Sequence, residues 1–181
     1  MTTSHVVLIR AINVGGRNKV PMAELRASLE AAGLRHVRTY IQSGNAVVDA
    51  GARSTGDVNS LVEAVLLAEF GVETVVVTVT AATMRGAVDG APQGFGAEPD
   101  VYHSDVAFLR PGVSAGEAAA AFSLREGVDT LWQGKGVIYF RRLSAQRTRS
   151  KMSSVMSTPF YQEMTIRNWA TTTTLAGMLD G

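Results

Sequence analysis

The loop that follows the first strand-like run carries residue types that bind anions. Arg10, Asn13 and Lys19 supply side-chain donors, and Gly15 and Gly16 lie between them. Glycine backbones can approach a ligand closely, and main-chain amides beside a cation favour a phosphate or a carboxylate. The alternative is that the two glycines only form a tight turn. Both interpretations stay open at this point.

A second polar stretch, Tyr40–Asn45, offers Ser43, Gly44 and Asn45 where another strand-like run ends. A hydroxyl and an amide beside a glycine are suited to complete an anion site with the first loop. The same three residues fit an ordinary hairpin connection, in which glycine and asparagine accept positive φ angles. The choice depends on whether the two stretches meet in the fold.

The third concentration of polar residues is basic. Between Thr130 and Gln162 the chain has six Lys or Arg residues and no Asp or Glu. A helix start near Ser150 would add its amide groups to the attraction for anions. The competing interpretation is a solvated basic face, which is what charge runs usually are. Together with the later Thr165–Trp169 stretch, the run predicts a second ligand site at Arg149, Ser150, Lys151, Arg167 and Asn168.

Several chemistries are excluded or unsupported by the residues present. The absence of cysteine removes thiol catalysis, disulfides and cysteine-bound zinc. The histidines His5, His36 and His103 are too dispersed to predict a metal site, and no base accompanies Ser43 in a hydrolase triad. The glycine patterns of nucleotide hydrolases and dinucleotide-binding enzymes are missing, as are the aromatic pairs of RNA-recognition strands. We predict no metal and no cofactor, and leave open whether the protein is an enzyme.

Composition indicates a globular protein with a hydrophobic core. Of the 181 residues, 46% are hydrophobic and 18% are charged, and the formal net charge is +1. Such a small charge gives no global field that would mark a nucleic-acid or membrane binder. The N-terminus lacks a signal-peptide pattern, and no apolar run approaches the ~18 residues that span a bilayer. We expect a cytoplasmic protein without a membrane partner.

Alternating strands and helices must position the polar stretches. In the first half, compact β-rich runs predict strands at His5–Ile9, Ala46–Val48 and Thr74–Val79, and alternation predicts a half-buried strand at Val37–Ile41. Helical spacing bounded by capping residues and glycines predicts three helices: Pro21–Gly33, Ser54–Gly71 and Ala81–Val88.

The same order returns after a linker at residues 91–102, which contains glycine and proline. The predicted strands of this half are Asp105–Leu109, Thr130–Trp132, Val137–Phe140 and Phe160–Ile166. The predicted helices are Ser114–Phe122, a helix around Ser150–Met156 and a last helix that ends at Leu179.

Each half therefore has the order β-α-β-β-α-β, which predicts an α+β protein of two tandem ferredoxin-like units with antiparallel sheets. The first unit would occupy residues 1–90, and the second residues 103–181 with the C-terminal helix. Because right-handed crossovers make the outer strands of each unit parallel, the Arg10–Lys19 loop should lie beside the Gln42–Asn45 turn. In the second unit, the opposite end of the sheet should gather the residues Arg141, Arg142, Ser150, Arg167 and Asn168.

The polar stretches also resemble a family pattern. Ile9–Gly16, Thr39–Asn45, Arg149–Met152 and Thr165–Trp169 are similar to motifs of the domain of unknown function 1697 family of bacterial proteins. The resemblance implies a tandem α/β plait, and it brings no established activity.

The chain departs from that family pattern at three places. Ala11 stands where the family usually has glycine, and Ala170 follows Trp169 where Asn or Arg is common. Thr174 precedes Leu175 at a place where the resemblance implies lysine. Any role of that lysine in the family does not transfer to this chain.

Three hypotheses about function follow from these residues. The first is binding of an anionic, phosphate-bearing ligand, either a nucleotide or a nucleic-acid backbone. The second is an enzyme of unknown reaction in which Arg10, Asn13, Ser43 and Asn45 orient or stabilise an oxyanion. The third is a homo-oligomerisation module in which these loops form the contact between copies. The sequence leaves the oligomeric state open.

Overall fold

The structure is a computed structural model and describes residues 4–180. Its strands are β1 (Ser4–Ile9), β2 (Arg35–Tyr40), β3 (Asn45–Asp49), β4 (Val76–Thr80), β5 (Tyr102–Leu109), β6 (Asp129–Gln133), β7 (Val137–Leu143) and β8 (Met164–Asn168). Its α-helices are α1 (Met22–Ala31), α2 (Thr55–Phe70), α3 (Ala81–Asp89), α4 (Ala115–Ala120) and α5 (Trp169–Gly177).

The chain divides into two compact units. Unit 1 comprises the residues up to Met84 together with those from Leu175 onwards, and unit 2 is Arg85–Thr174. This division differs from the ranges 1–90 and 103–181 that we expected from the sequence. The whole segment predicted as a linker, residues 91–102, lies within unit 2.

Unit 1 contains a four-stranded antiparallel sheet in the order β2-β3-β1-β4. Strand β1 lies inside this sheet, where Val7 is paired with Ala46 on one side and with Thr78 on the other. All residues of Val6–Ile9 are buried. A strand buried throughout has a continuous apolar run instead of alternation, as this one does.

The helices of unit 1 have clear ends and one apolar face each. Helix α2 begins with a capping box, in which the Ser54 hydroxyl accepts from the Asp57 amide and the Asp57 carboxylate accepts from the Ser54 amide. It ends at Gly71, whose φ of 64° is left-handed. Leu25 and Leu29 of α1 are fully buried in the core of the unit, and burying a leucine contributes about 1.5–3 kcal/mol.

The topology brings two polar loops to one end of this sheet. Strands β1 and β2 both run antiparallel to β3, so they run parallel to each other. Ile9 and Tyr40, their last residues, are therefore at the same end of the sheet. As predicted, the loop after β1 and the turn after β2 leave the sheet side by side.

Unit 2 contains the second four-stranded antiparallel sheet, in the order β6-β7-β5-β8. Ala107, Ile138, Phe140 and Met164 from its strands form one core cluster with Ala118 of α4. The mixed α/β fold with two antiparallel sheets is thus confirmed.

The segment between β7 and β8 differs from the prediction. The expected helix around Ser150–Met156 is replaced by 3₁₀ turns at Ser144–Arg149, Met152–Ser157 and Pro159–Glu163. Met152 and Val155 are buried, and their spacing of three is the period of a 3₁₀ turn. The stretch is rich in serine, which favours turns and caps over helix interiors, and Pro159 stops continuation. The strand expected at Phe160–Ile166 begins later, at Met164.

Across residues 4–180, no helix combines the length and the hydrophobicity that crossing a bilayer requires.

Candidate functional site

A tight turn shapes the loop after β1. The Arg17 amide donates to the Val14 carbonyl at 3.1 Å, and the φ angles of Gly15 and Gly16 between them are 58° and 75°. Positive φ at both central residues is the requirement of a type I′ turn. The two glycines therefore serve as turn residues, and only Gly16 also lines the cavity described below.

Asn13 joins the first loop to the second. Its Nδ2 donates to the Val20 carbonyl at 2.8 Å and to the Gln42 carbonyl at 2.9 Å, while its Oδ1 accepts from the Val20 amide at 2.8 Å. Both amide donors of this side chain are thus used within the protein. Asn13 acts as a clamp that fixes the two loops relative to each other.

Buried contacts of Gly44 and Asn45 stabilise the Gln42–Asn45 turn. The φ of Gly44 is 88°, and a Cβ at this position would come within 2.9 Å of Ile9 and Ile12. Asn45 is fully buried, and its Nδ2 donates to the Tyr40 carbonyl and to the Ser43 hydroxyl, each at 3.2 Å. Gly44 and Asn45 therefore fix the conformation of the turn from its buried side.

A cavity of about 630 Å³ opens where the two loops meet. This volume is within the range of about 300–1,000 Å³ that is typical of small-molecule sites. Its wall combines polar and apolar groups, among them Asn13, Gly16, Lys19, Met22, Ile41 and Gln42. Among residues 4–180, Lys19 is the one charged residue that lines it. Within that part of the chain, the wall therefore carries a positive charge and no acidic group.

The start of helix α1 forms part of the same wall. Pro21 and Met22 line the cavity, and the N-cap residue Pro21 makes no side-chain cap. The first amides of an α-helix have no acceptor within the helix. These amides and Lys19 favour an anion on this side of the cavity, and Glu24 in the first turn of α1 offsets part of that positive character.

Ile41 adopts an unusual backbone conformation at the rim of the cavity. Its φ is 47°, which is a genuine outlier for a β-branched residue. Its side chain is 49% exposed, so burial does not explain the conformation. Strained residues of this kind often lie at functional sites.

Ala11 also has a left-handed backbone, with φ at 54°. Glycine adopts this conformation without a steric cost, whereas a Cβ costs about 1–2 kcal/mol. The departure from the family pattern at this position therefore has a physical meaning: alanine occupies a place at which the backbone favours glycine.

Arg10 lies towards β4 and is not among the residues that line the cavity. Its amide donates to the Val75 carbonyl at 3.0 Å, and its carbonyl accepts from the Thr74 hydroxyl. Of the residues predicted for this site, Asn13, Gly16 and Lys19 line the cavity, whereas Arg10, Gly15, Ser43, Gly44 and Asn45 do not.

Sequence reasoning missed six residues of the cavity wall: Val20, Pro21, Met22, Thr39, Ile41 and Gln42. Ile41 and Gln42 belong to the second polar stretch, and Thr39 lies directly before it, so their position near Ser43 was the available signal. Nothing in the sequence indicates that a β-branched residue such as Ile41 takes a positive φ.

The predicted basic site contains an acidic residue. Asp129, one position before the acid-free run, accepts through Oδ2 from the Arg125 and Lys151 amides at 2.8 and 2.9 Å. Burial raises the pKa of this carboxyl, but hydrogen bonds from the Ser150 hydroxyl and from those two amides hold the pKa below its ordinary value. Asp129 thus organises the segment around Ser150 and Lys151, while Arg149 bonds locally to Gln146 at 3.1 Å.

Arg167 and Asn168 lie on the other edge of the sheet. Asp129 is in β6 and Asn168 is in β8, and two strands lie between them, which separates them by ~14 Å at the usual strand spacing. The guanidinium of Arg167 donates to the Thr165 hydroxyl at 3.0 Å and to the Ile166 carbonyl at 2.8 Å. Its burial lowers its pKa to about 10. The residues predicted as a second site therefore form two groups.

No group of three His, Asp or Glu side chains within residues 4–180 is arranged to hold a metal ion.

The comparison with known proteins identifies the family. Residues 1–139 match the family described as "Protein of unknown function (DUF1697)", and the chain belongs to that family. The Arg149–Met152 and Thr165–Trp169 stretches lie beyond the matched residues. No curated protein matches the chain at a significant level.

A solved structure is similar over the whole chain. It is the conserved bacterial protein SP0830 from Streptococcus pneumoniae, with 26% sequence identity and a TM-score of 0.80, and the match covers 99% of both chains. The likeness shows that this bacterial protein shares the architecture of the chain.

Proposed function

We propose that this protein binds a small anionic ligand that carries a phosphate group, in the cavity between the loop after β1 and the turn after β2. The observation that carries the proposal is the position of Lys19. It is the one charged residue among those lining the cavity, and the start of α1 forms the wall beside it. A cation next to free helix amides is a common arrangement for phosphate recognition.

The apolar part of the wall supports an organic phosphate over a free inorganic ion. Val20, Pro21, Met22 and Ile41 line the cavity together with the polar groups. A ligand with an apolar or ring-shaped body would cover these side chains, while its phosphate would face Lys19. The class of ligand we propose is therefore a phosphate monoester with a small organic group.

The Asn13 clamp supports a preformed site. Two hydrogen bonds between Asn13 and Val20 fix the first loop, and one from Asn13 to the Gln42 carbonyl joins it to the second loop, each at 2.8–2.9 Å and without using the ligand. A site that is fixed before binding spends less free energy on ordering its loops. Asn13 is thus proposed as a positioning residue, because both of its amide donors are already occupied.

A nucleic-acid backbone is a less suitable partner for this cavity than a small molecule. Binding along a phosphate backbone uses several Lys or Arg contacts, and each contact adds to the salt dependence. Of the residues that the structure describes, only Lys19 brings a charge to the cavity wall. We therefore propose that the affinity depends only weakly on salt. The logarithm of the binding constant should fall by about one for each tenfold rise in salt concentration.

Phenyl phosphate and inorganic phosphate are the probes that test this proposal. Lys19→Met is expected to weaken phenyl phosphate binding about tenfold, the usual size of a charge-assisted hydrogen bond. Lys135→Met is the matched control, because Lys135 is an exposed lysine of unit 2 and its loss lowers the net charge equally. Isothermal titration calorimetry gives both affinities. If both substitutions weaken phenyl phosphate binding equally, the effect comes from the net charge alone and the proposed site is refuted.

We also propose the finer architecture that the sequence predicts, two ferredoxin-like βαββαβ units that arose by tandem duplication. The strand orders β2-β3-β1-β4 and β6-β7-β5-β8 support it, because each unit repeats the same arrangement. Within unit 2, the three 3₁₀ turns stand in the place of the second helix. The proposed setting is the bacterial cytoplasm, where phosphate esters are abundant.

A further inference from the structure

Unit 2 has a separate cavity that shares only Asn168 with the ligand sites predicted from the sequence. Its volume is about 340 Å³, and its wall includes Gly96, Tyr102, Ser104, Asn168, Trp169 and Ala170. All of these residues belong to Arg85–Thr174. The volume is at the lower end of the range of about 300–1,000 Å³ for small-molecule sites, so the cavity suits a compact molecule.

A buried hydroxyl without a partner lies in the wall of this cavity. Ser104 is only 7% exposed, and its Oγ makes no hydrogen bond within the described part of the chain. Buried polar groups are nearly always hydrogen-bonded, and leaving one unpaired costs about 1–3 kcal/mol. An acceptor group of a bound molecule would satisfy this hydroxyl.

Two further donors lie close to Ser104. Arg141 is the cross-strand neighbour of Ser104 in β7, and its buried Nε also has no partner among the described residues. Ala170 lines the cavity in the first turn of α5, where amides have no acceptor within the helix. Together these groups favour a ligand that carries an oxyanion.

Two other polar residues at the cavity have a partner within the protein. Asn168 accepts through Oδ1 from the Thr171 amide at 2.8 Å, so it caps the helix. The Nε2 of His103 lies 3.1 Å from the Asp105 carboxylate. Recognition of a ligand therefore depends chiefly on Ser104.

The remaining wall is aromatic and rigid. The ring centroids of Trp169 and Phe95 are 5.1 Å apart in an edge-to-face contact. A Cβ on Gly96 would meet the Trp169 ring at 2.0 Å, so the backbone at Gly96 packs directly against the indole. The Arg141 guanidinium lies 4.1 Å from the centroid of the Tyr102 ring, so a positive charge contacts one of the aromatic rings of the wall. Such walls favour a flat ring.

We propose that the cavity of unit 2 binds a small aromatic carboxylate, with its ring between Tyr102 and Trp169 and its carboxylate accepting from Ser104 and the Ala170 amide. The site is independent of the phosphate site in unit 1. The two proposals can therefore fail separately.

The test uses benzoate as the probe and the full chain labelled with nitrogen-15. Benzamide keeps the ring and removes the charge, whereas cyclohexanecarboxylate keeps the charge and removes the flat ring. Benzoate is expected to shift the amide signals of Ser104 and Ala170 and the indole signal of Trp169. Both analogues are expected to bind at least about fivefold more weakly, because each lacks one of the two features that the wall recognises.

Substitution of the serine separates binding from stability. Ser104→Ala is expected to weaken benzoate binding about tenfold and to leave the thermal midpoint unchanged or higher, because it removes an unpaired buried hydroxyl. Thr78→Val is the control, since Thr78 is 1% exposed and its Oγ1 also has no partner among the described residues, but it lies in β4 of unit 1. It should leave the benzoate affinity unaltered.

Three results would overturn the proposal: no saturable benzoate binding in the millimolar range, shifts confined to Gly16 and Gln42 in unit 1, or equal affinity in wild type and Ser104→Ala. The last result would mean that the Ser104 hydroxyl holds only solvent.

Discussion

The Nδ2 atom of Asn13 lies 2.9 Å from the carbonyl oxygen of Gln42, a residue 29 positions away along the chain. This one bond connects the two polar loops of unit 1 at the mouth of the cavity. Sequence distance hides the relationship, and the parallel course of β1 and β2 produces it. The shape of the proposed phosphate site therefore depends on a side chain that does not need to touch the ligand.

Asn13→Gly tests the clamp without adding backbone strain, because glycine accepts the φ of 54° at this position. The substitution removes three hydrogen bonds of 2.8–2.9 Å. We expect the free energy of unfolding to fall by about 2–3 kcal/mol and phenyl phosphate binding to be lost. Urea denaturation and calorimetry measure the two effects.

Asn18→Gly is the control for the clamp. Asn18 has a similar φ of 49°, and its side chain makes one bond of 3.0 Å, to the Ala11 carbonyl. We expect a loss of at most about 1 kcal/mol. If Asn13→Gly is no more destabilising than this control, Asn13 is not a clamp.

Ala11→Gly is expected to stabilise the protein. The left-handed backbone at Ala11, with φ at 54°, destabilises an alanine by about 1–2 kcal/mol relative to a glycine. Part of this gain is offset by the larger entropy of the unfolded glycine chain. We predict a net increase of about 0.5–1 kcal/mol in the free energy of unfolding. A decrease in the denaturation midpoint would show that the alanine conformation is not strained.

Ile41→Asn is expected to separate stability from ligand affinity. Asparagine tolerates the φ of 47° better than a β-branched residue does, so we expect the free energy of unfolding to rise by about 1 kcal/mol. The loss of the apolar side chain should weaken phenyl phosphate binding several-fold and leave inorganic phosphate binding unchanged. If both ligands are affected equally, Ile41 does not contact the organic part.

Asp129→Asn is expected to have a pH-dependent effect on stability. The folded-state pKa of Asp129 lies below its ordinary value, so the ionised group stabilises the fold above about pH 4. This contribution is lost as the pH falls through the folded-state pKa. The variant should therefore be less stable than wild type at neutral pH, and the difference should shrink in acid.

Chemical denaturation at a series of pH values measures that difference, with Asp100→Asn as the control, because Asp100 is exposed. A difference that stays constant from neutral to acid pH would mean that the charge of Asp129 does not contribute.

The sequence predicted most of the fold because its strands are short apolar runs with clear ends. The run His5–Ile9 appears as β1, and the parallel course of β1 and β2 followed from the order of elements alone. The meeting of the two polar loops was thereby predictable. The left-handed backbone of Ile41 was not predictable from the sequence. It belongs to a turn whose Gly44 packs directly against Ile9 and Ile12, and this packing is a property of the folded chain.

The C-terminal half was harder to predict for two physical reasons. Met152 and Val155 are buried at a spacing that fits both an α-helix and a 3₁₀ turn. Asp129 lies one position outside the acid-free run, yet it accepts hydrogen bonds from within that run. Phe95 lies in the segment whose composition predicts a linker, yet its ring contacts Trp132, Tyr139 and Trp169. An aromatic residue among glycines and prolines is the signal for such a buried anchor.

The central claim is that the cavity beside Lys19 holds a phosphate group. The most direct measurement is a crystal structure of the protein grown with phenyl phosphate. We expect a phosphate oxygen within hydrogen-bond distance of the Lys19 Nζ and of an amide in the first turn of α1, with the ring against Met22 and Ile41. Phosphate density elsewhere, with this cavity holding only solvent at saturating phenyl phosphate, would contradict the account.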